Sequence, residues 1–61
     1  MIPEGFKDIK THEPPLWEDV VFALEDGRHV MGYFTQNRDG NGECRTNEDK
    51  VLKDVIGWRK Y

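Results

Sequence analysis

Serine is absent from these 61 residues, cysteine occurs once and histidine twice. Without serine there is no serine nucleophile, and one thiol, Cys44, cannot form an internal disulfide. Any extra staple for so short a chain must then come from a metal or a partner chain. No apolar run is long enough to span a bilayer and no leader pattern opens the chain, so the expected compartment is the reducing cytoplasm. Glycines in the spacing of a phosphate or dinucleotide loop are also missing. His12, His29 and Cys44 lack the short ligand spacing of structural zinc. Nothing around Cys44 suggests an activated thiol, and a small buried filler is the expected role. These gaps point to a chain that is not an enzyme and carries no cofactor.

Strong charge of one sign is missing too. The net charge is −3, unevenly spread. Residues 1–26 hold seven acids against Lys7 and Lys10, while residues 27–61 hold five acids against seven bases. That is too weak a basic patch to favour nucleic acid, which leaves a weak nucleic-acid binder only as an alternative reading.

What the chain does have is a hairpin pattern. Asp19-Val-Val-Phe-Ala-Leu24 and His29-Val-Met-Gly-Tyr-Phe34 flank Asp26-Gly27, the dipeptide of a two-residue type I′ turn. That turn sets Leu24 opposite His29, Phe22 opposite Met31 and Val20 opposite Tyr33. One face would carry Val20, Phe22, Leu24, Met31 and Tyr33; the other Val21, Ala23, Val30 and Phe34. Two apolar faces suit a sheet that curls on itself. Before the hairpin, Phe6 and Ile9 suggest a short strand or ordered arm. Pro14-Pro15 reads as a stiff connector aiming Leu16 and Trp17 at the core. After it, residues 37–43 are turn-forming, and 43–46 suit a short strand that brings Cys44 inward. Residues 47–56 are ambiguous: Val51, Leu52, Val55 and Ile56 have helical spacing, yet the tail from about 54 is β-prone. The expected fold is one mainly β domain over 1–61. It is a small antiparallel sheet of four or five strands, curled toward an SH3-like barrel, with at most one helical turn.

One stretch fits a metal-binding register. Asn37, Asp39, Asn41 and Glu43, with Gly42 for the turn and Glu48 downstream, follow an EF-hand loop, whose oxygens suit calcium. Asn37 replaces the usual first Asp, Arg45 puts a cation at the ninth position, and the preceding segment reads as strand. Calcium binding at this loop is the second alternative.

Seven aromatics are a heavy allotment for this length, and most are needed for the core. A core this small leaves some aromatic surface for a protein partner or a second copy of the chain. Trp, Tyr and Arg dominate protein hot spots, so Trp17, Arg28, Tyr33, Trp58 and Arg59 are the candidate partner-binding residues. The primary functional expectation is a non-catalytic protein-binding module.

Phe6-x-x-Ile9, Pro14-Pro15, the strand from Val20 to Ala23, Asp26-Gly27, Gly32-Tyr33-Phe34, the 37–43 loop and Val55-x-x-Trp58 occur in this order over most of the chain. That order resembles a family of short, uncharacterised β domains carried by phages and prophages. Phe6 stands where that family has Trp, Gly57 where it has His, and its Pro-rich ending is absent. The resemblance implies a small β fold and a phage or mobile-element origin and carries over no activity; the functional expectation is then an accessory module acting on a host protein, in the host cytoplasm if phage-encoded. The resemblance implies no site residue.

Overall fold

The computed structural model describes residues 2–61, and among these there are six strands and no helix. They are β1 (Lys7–Asp8), β2 (Asp19–Leu24), β3 (His29–Gln36), β4 (Gly42–Thr46), β5 (Val51–Leu52) and β6 (Val55–Lys60). All pair antiparallel in one open sheet of order β1-β6-β2-β3-β4-β5. The strand count exceeds the expected four or five because the two-residue segments β1 and β5 each find a partner. Residues 47–56 are turn and strand, so the helical spacing of Val51, Leu52, Val55 and Ile56 has no helix to serve.

The main hairpin turns through three residues, not two. The Gly27 amide donates to Leu24 O at 3.0 Å, and the Leu24 amide donates to Arg28 O at 2.8 Å. Gly27 takes φ +94°, the left-handed residue that follows a type I turn in three-residue hairpins. Cross-strand partners are therefore Phe22 with Val30 and Val21 with Met31, one residue away from the expected register. A slip of one moves every β3 side chain to the opposite face. Val30 and Phe34 join Val20 and Phe22, while Met31 and Tyr33 join Val21.

The same turn recurs twice. Gly40 donates to Asn37 O at 3.0 Å and Asn37 to Asn41 O at 2.9 Å; Asp49 donates to Thr46 O at 2.9 Å and Thr46 to Lys50 O at 2.8 Å. Gly40 has φ +82° and Asp49 φ +69°. Three hairpins thus share one three-residue design, and only the third puts a side chain on its left-handed residue.

The sheet is not closed into a barrel, yet connectivity forces it to roll. β5 and β6 stand four strand spacings apart in the sheet order, about 19 Å if the sheet were flat. Lys53 and Asp54 alone link them, and three consecutive Cα steps reach only about 11 Å. β5 must therefore curl back toward β6. The inner face of the roll holds the core of Val20, Phe22, Phe34, Cys44 and Trp58, with Ile9, Leu52 and Val55 packed against it. Residues 9–16 border this face: Trp58 Nε1 donates to His12 O at 2.6 Å, and Leu16 bridges to Phe34. On the outer face, residues 2–6 cover β6. A Cβ on Gly57 would lie 3.1 Å from Ile2 Cγ2 and 3.5 Å from Phe6 Cβ, and the Phe6 ring is centred 4.9 Å from that of His29.

Gly32 marks the tightest point of the roll. A Cβ there would sit 2.0 Å from the Arg45 carbonyl oxygen and 3.1 Å from Phe22, so no side chain fits between β3 and β4. Gly32→Ala should destabilise the domain by about 3 kcal/mol, the upper end of what overpacking costs because the clash is with backbone, against a total stability of roughly 3–9 kcal/mol for this length. Gly27→Ala, which meets nothing within 4 Å, should cost only about 1 kcal/mol for its left-handed backbone. Thermal melts of the two variants check this ordering.

Candidate binding surface

Two non-glycine residues among those described adopt left-handed backbone, Trp17 at φ +64° and Asp49 at φ +69°. Such conformations cost on the order of 1–2 kcal/mol per residue, and strain of this kind concentrates at functional sites. Both side chains meet on Tyr33. The Trp17 ring stacks on it at a centroid distance of 5.7 Å and an interplanar angle of 17°. The Tyr33 hydroxyl donates to Asp49 Oδ1.

The topology explains the convergence. Tyr33 lies on the outer face of β3, with Asp19 opposite it on β2 and Arg45 opposite it on β4. Trp17 arrives just before β2, where its amide donates to Phe34 O at 2.9 Å. The connector Pro14-Pro15 buries Pro14 but leaves Leu16 and Trp17 exposed, Trp17 at 72%. The expectation that the prolines aim both residues into the core is thus overturned. The positive φ at Trp17 turns its ring outward onto Tyr33.

A polar network continues from the stack. Arg45 Nε donates to Glu43 Oε1 at 2.6 Å, and Arg45 Nη1 donates to Asp49 Oδ1 at 3.1 Å and to Asp49 O at 3.3 Å. The Tyr33 hydroxyl, then Arg45, hold the Asp49 carboxyl below its ordinary range. The same hydrogen bond to Asp49 pushes the Tyr33 phenol up. Met31 and Val51, exposed on the same outer face, extend the apolar area.

The other candidates disperse. Trp58, expected at a partner surface, is buried at 3% in the inner core; its place opposite Phe22 on β6 turns it inward. Arg28 stands at the first hairpin turn, paired with Asp26 at 2.8 Å in the open. Arg59 lies on the outer face over the Phe6 ring, 5.6 Å from its centre, in the cluster with His29. Only Trp17 and Tyr33 of the five come together. Asp49 escaped the sequence reading; its one signal is that Glu48-Asp49 occupies the turn position held elsewhere by Asp26-Gly27 and Asp39-Gly40.

The calcium register does not assemble. Asn37 Oδ1 accepts the amides of Asp39 at 2.9 Å and Asn41 at 3.1 Å, Glu43 is paired with Arg45, and Glu48 belongs to the next turn, its amide on Thr46 Oγ1 at 3.2 Å. A strand, not a helix, precedes the loop. Among the described residues no three His, Cys, Asp or Glu side chains gather as a metal site.

Cys44 lines an inner-face groove of about 520 Å³ with Ile9, Phe34, Leu52 and Val55. Burial, then the charge of Glu43, pushes its thiol from 9.0 up to about 11. His29, opposite Ala23 on the outer face, is on the other side of the sheet from Cys44, and His12 Nδ1 is hydrogen-bonded with Thr11 Oγ1 at 2.8 Å.

Comparison of the chain with protein-family models, curated proteins and solved structures finds no match.

Asp49→Asn removes the charge that holds the Tyr33 proton, so the Tyr33 phenol should ionise at lower pH, read by ultraviolet difference titration against wild type. Cys44 gives a second expectation. Its raised pKa favours the folded state fully below pH 9, and that contribution is lost as pH climbs through about 11. Melting temperature should therefore fall over that window, with a shallower slope in Cys44→Ala.

Proposed function

We propose that this chain is a non-catalytic protein-binding module and that the Trp17–Tyr33 stack is its contact surface. The observation that carries the reading is an exposed tryptophan held at left-handed φ and stacked on Tyr33, whose hydroxyl Asp49 fixes from the neighbouring turn. A tryptophan 72% exposed contributes nothing to the core to offset its backbone strain. Held by stacking on a residue that Asp49 itself anchors, it is a preorganised aromatic anchor of the kind that dominates protein hot spots. The groups that could serve catalysis are otherwise engaged: Cys44 is inward with a raised pKa, His29 lies on the opposite face of the sheet, and the His12 ring is hydrogen-bonded with Thr11. Among the described residues no helix is long and apolar enough to cross a membrane.

The resemblance to short phage-borne β domains supports an accessory role in which the partner is a host protein. A second copy of the chain is the other occupant of the same surface.

Affinity capture with purified wild type, Trp17→Ala and Tyr33→Ala tests the reading, followed by direct titration of whatever protein is retained. Trp17→Ala should melt within a few degrees of wild type, because its ring is outside the core, and should weaken the purified complex by tenfold or more, about 1.4 kcal/mol. Undiminished binding by Trp17→Ala would remove this surface from the account. Sedimentation of the free chain reads self-association directly.

A further inference from the structure

We infer that the partner segment docking on this surface is cationic, with a Lys or Arg side chain laid on the open face of Trp17. The inference rests on the protein-binding reading and adds the chemistry of the partner. One face of the Trp17 ring is against Tyr33 and the remainder is open, and an indole face is the strongest aromatic attractor of a cation. The charges around it have the matching sign. Glu18 and Asp19 follow Trp17 directly, both exposed. Asp19 stands opposite Tyr33 across the β2–β3 ladder, and the two acids line a shallow depression with Lys60 and Tyr61. Asp49 and Glu43 lie on the far side of Tyr33, where they occupy Arg45 between them. Asp19, Asp49 and Glu43 therefore flank Tyr33, Glu18 adjoins Trp17 in sequence, and the Arg45 cation among them is already shared by two acids. Neither Glu18 nor Asp19 has an ion-pair partner among the described residues. A phosphate backbone or an acidic segment would meet repulsion here, whereas an Arg or Lys would find both a ring and a counter-charge.

The test uses the full chain with a synthetic Gly-Arg repeat peptide, its Gly-Glu counterpart and a single-stranded DNA oligomer. The readout is the pair of indole N–H resonances in a proton–nitrogen correlation spectrum. Trp58 Nε1 is buried and bonded to His12 O, so it is the internal reference, and Trp17 is the reporter. The Gly-Arg peptide should shift the Trp17 resonance saturably, and the Gly-Glu peptide and DNA should leave it in place. Raising salt from about 20 mM to about 200 mM should weaken the response severalfold. Trp17→Ala, followed on backbone amides near Tyr33, and the surface double variant Glu18→Gln/Asp19→Asn should each weaken binding by about threefold or more, the range of an exposed cation–π contact.

An unmoved Trp17 resonance, an equal response to the Gly-Glu peptide or DNA, or insensitivity to neutralising Glu18 and Asp19 would overturn the cationic partner. If a captured protein still depends on Trp17 while ignoring salt and those neutralisations, only this inference fails. If capture ignores Trp17 as well, the binding-module reading fails with it.

Discussion

The structure depends on where the chain places its left-handed residues. Each hairpin closes through a three-residue turn whose last residue has positive φ, and that turn fixes the pairing register of the strands it joins. Because side chains alternate along a strand, register alone decides that Val20, Phe22, Phe34 and Cys44 face inward while Tyr33 and Arg45 face outward. Core and candidate site are thus two consequences of one constraint. A two-residue turn at Asp26-Gly27 would have put Tyr33 among the core residues and removed the platform on which Trp17 lies.

The rolled shape follows from equally local facts. A two-residue link between β5 and β6 cannot cross a flat sheet, and Gly32 leaves room for the Arg45 backbone to pass where any side chain would block it. Rolling gives a short chain an interior without a second layer. The arm contributes on both sides, with Ile2 and Phe6 against the outside of β6 and Ile9 packed against the core. Its crossing is fastened where Trp58 donates to His12 O. With Trp58 committed there, the exposed indole of Trp17 has no structural duty in the core.

Much of this was legible in the sequence, and the failures have physical causes. The all-β class, the main hairpin, the inward Cys44 and the turn at 37–43 follow from alternation and from Asp-Gly and Asn-Gly chemistry. The register did not follow, because Asp-Gly serves two-residue and three-residue turns alike, and only the pairing of Leu24 with Arg28 separates them. Composition identified two tryptophans without telling which would be buried; that depended on the register of β6 and on a single dihedral at Trp17. Asp49 was hidden for a related reason. An aspartate in the left-handed position of a turn is recognisable only once its two glycine counterparts are aligned with it by the fold, and the EF-hand spacing drew attention to its neighbour Glu48 instead.

The most direct measurement is a proton NOE spectrum of the folded chain in solution. The account predicts cross-strand contacts between Phe22 and Val30, ring-to-ring contacts between Trp17 and Tyr33, and indole contacts from Trp58 to His12 and Phe22. Contacts of Phe22 with Met31, or a Trp17 ring seen only against core residues, would contradict the register on which both the core and the binding surface rest.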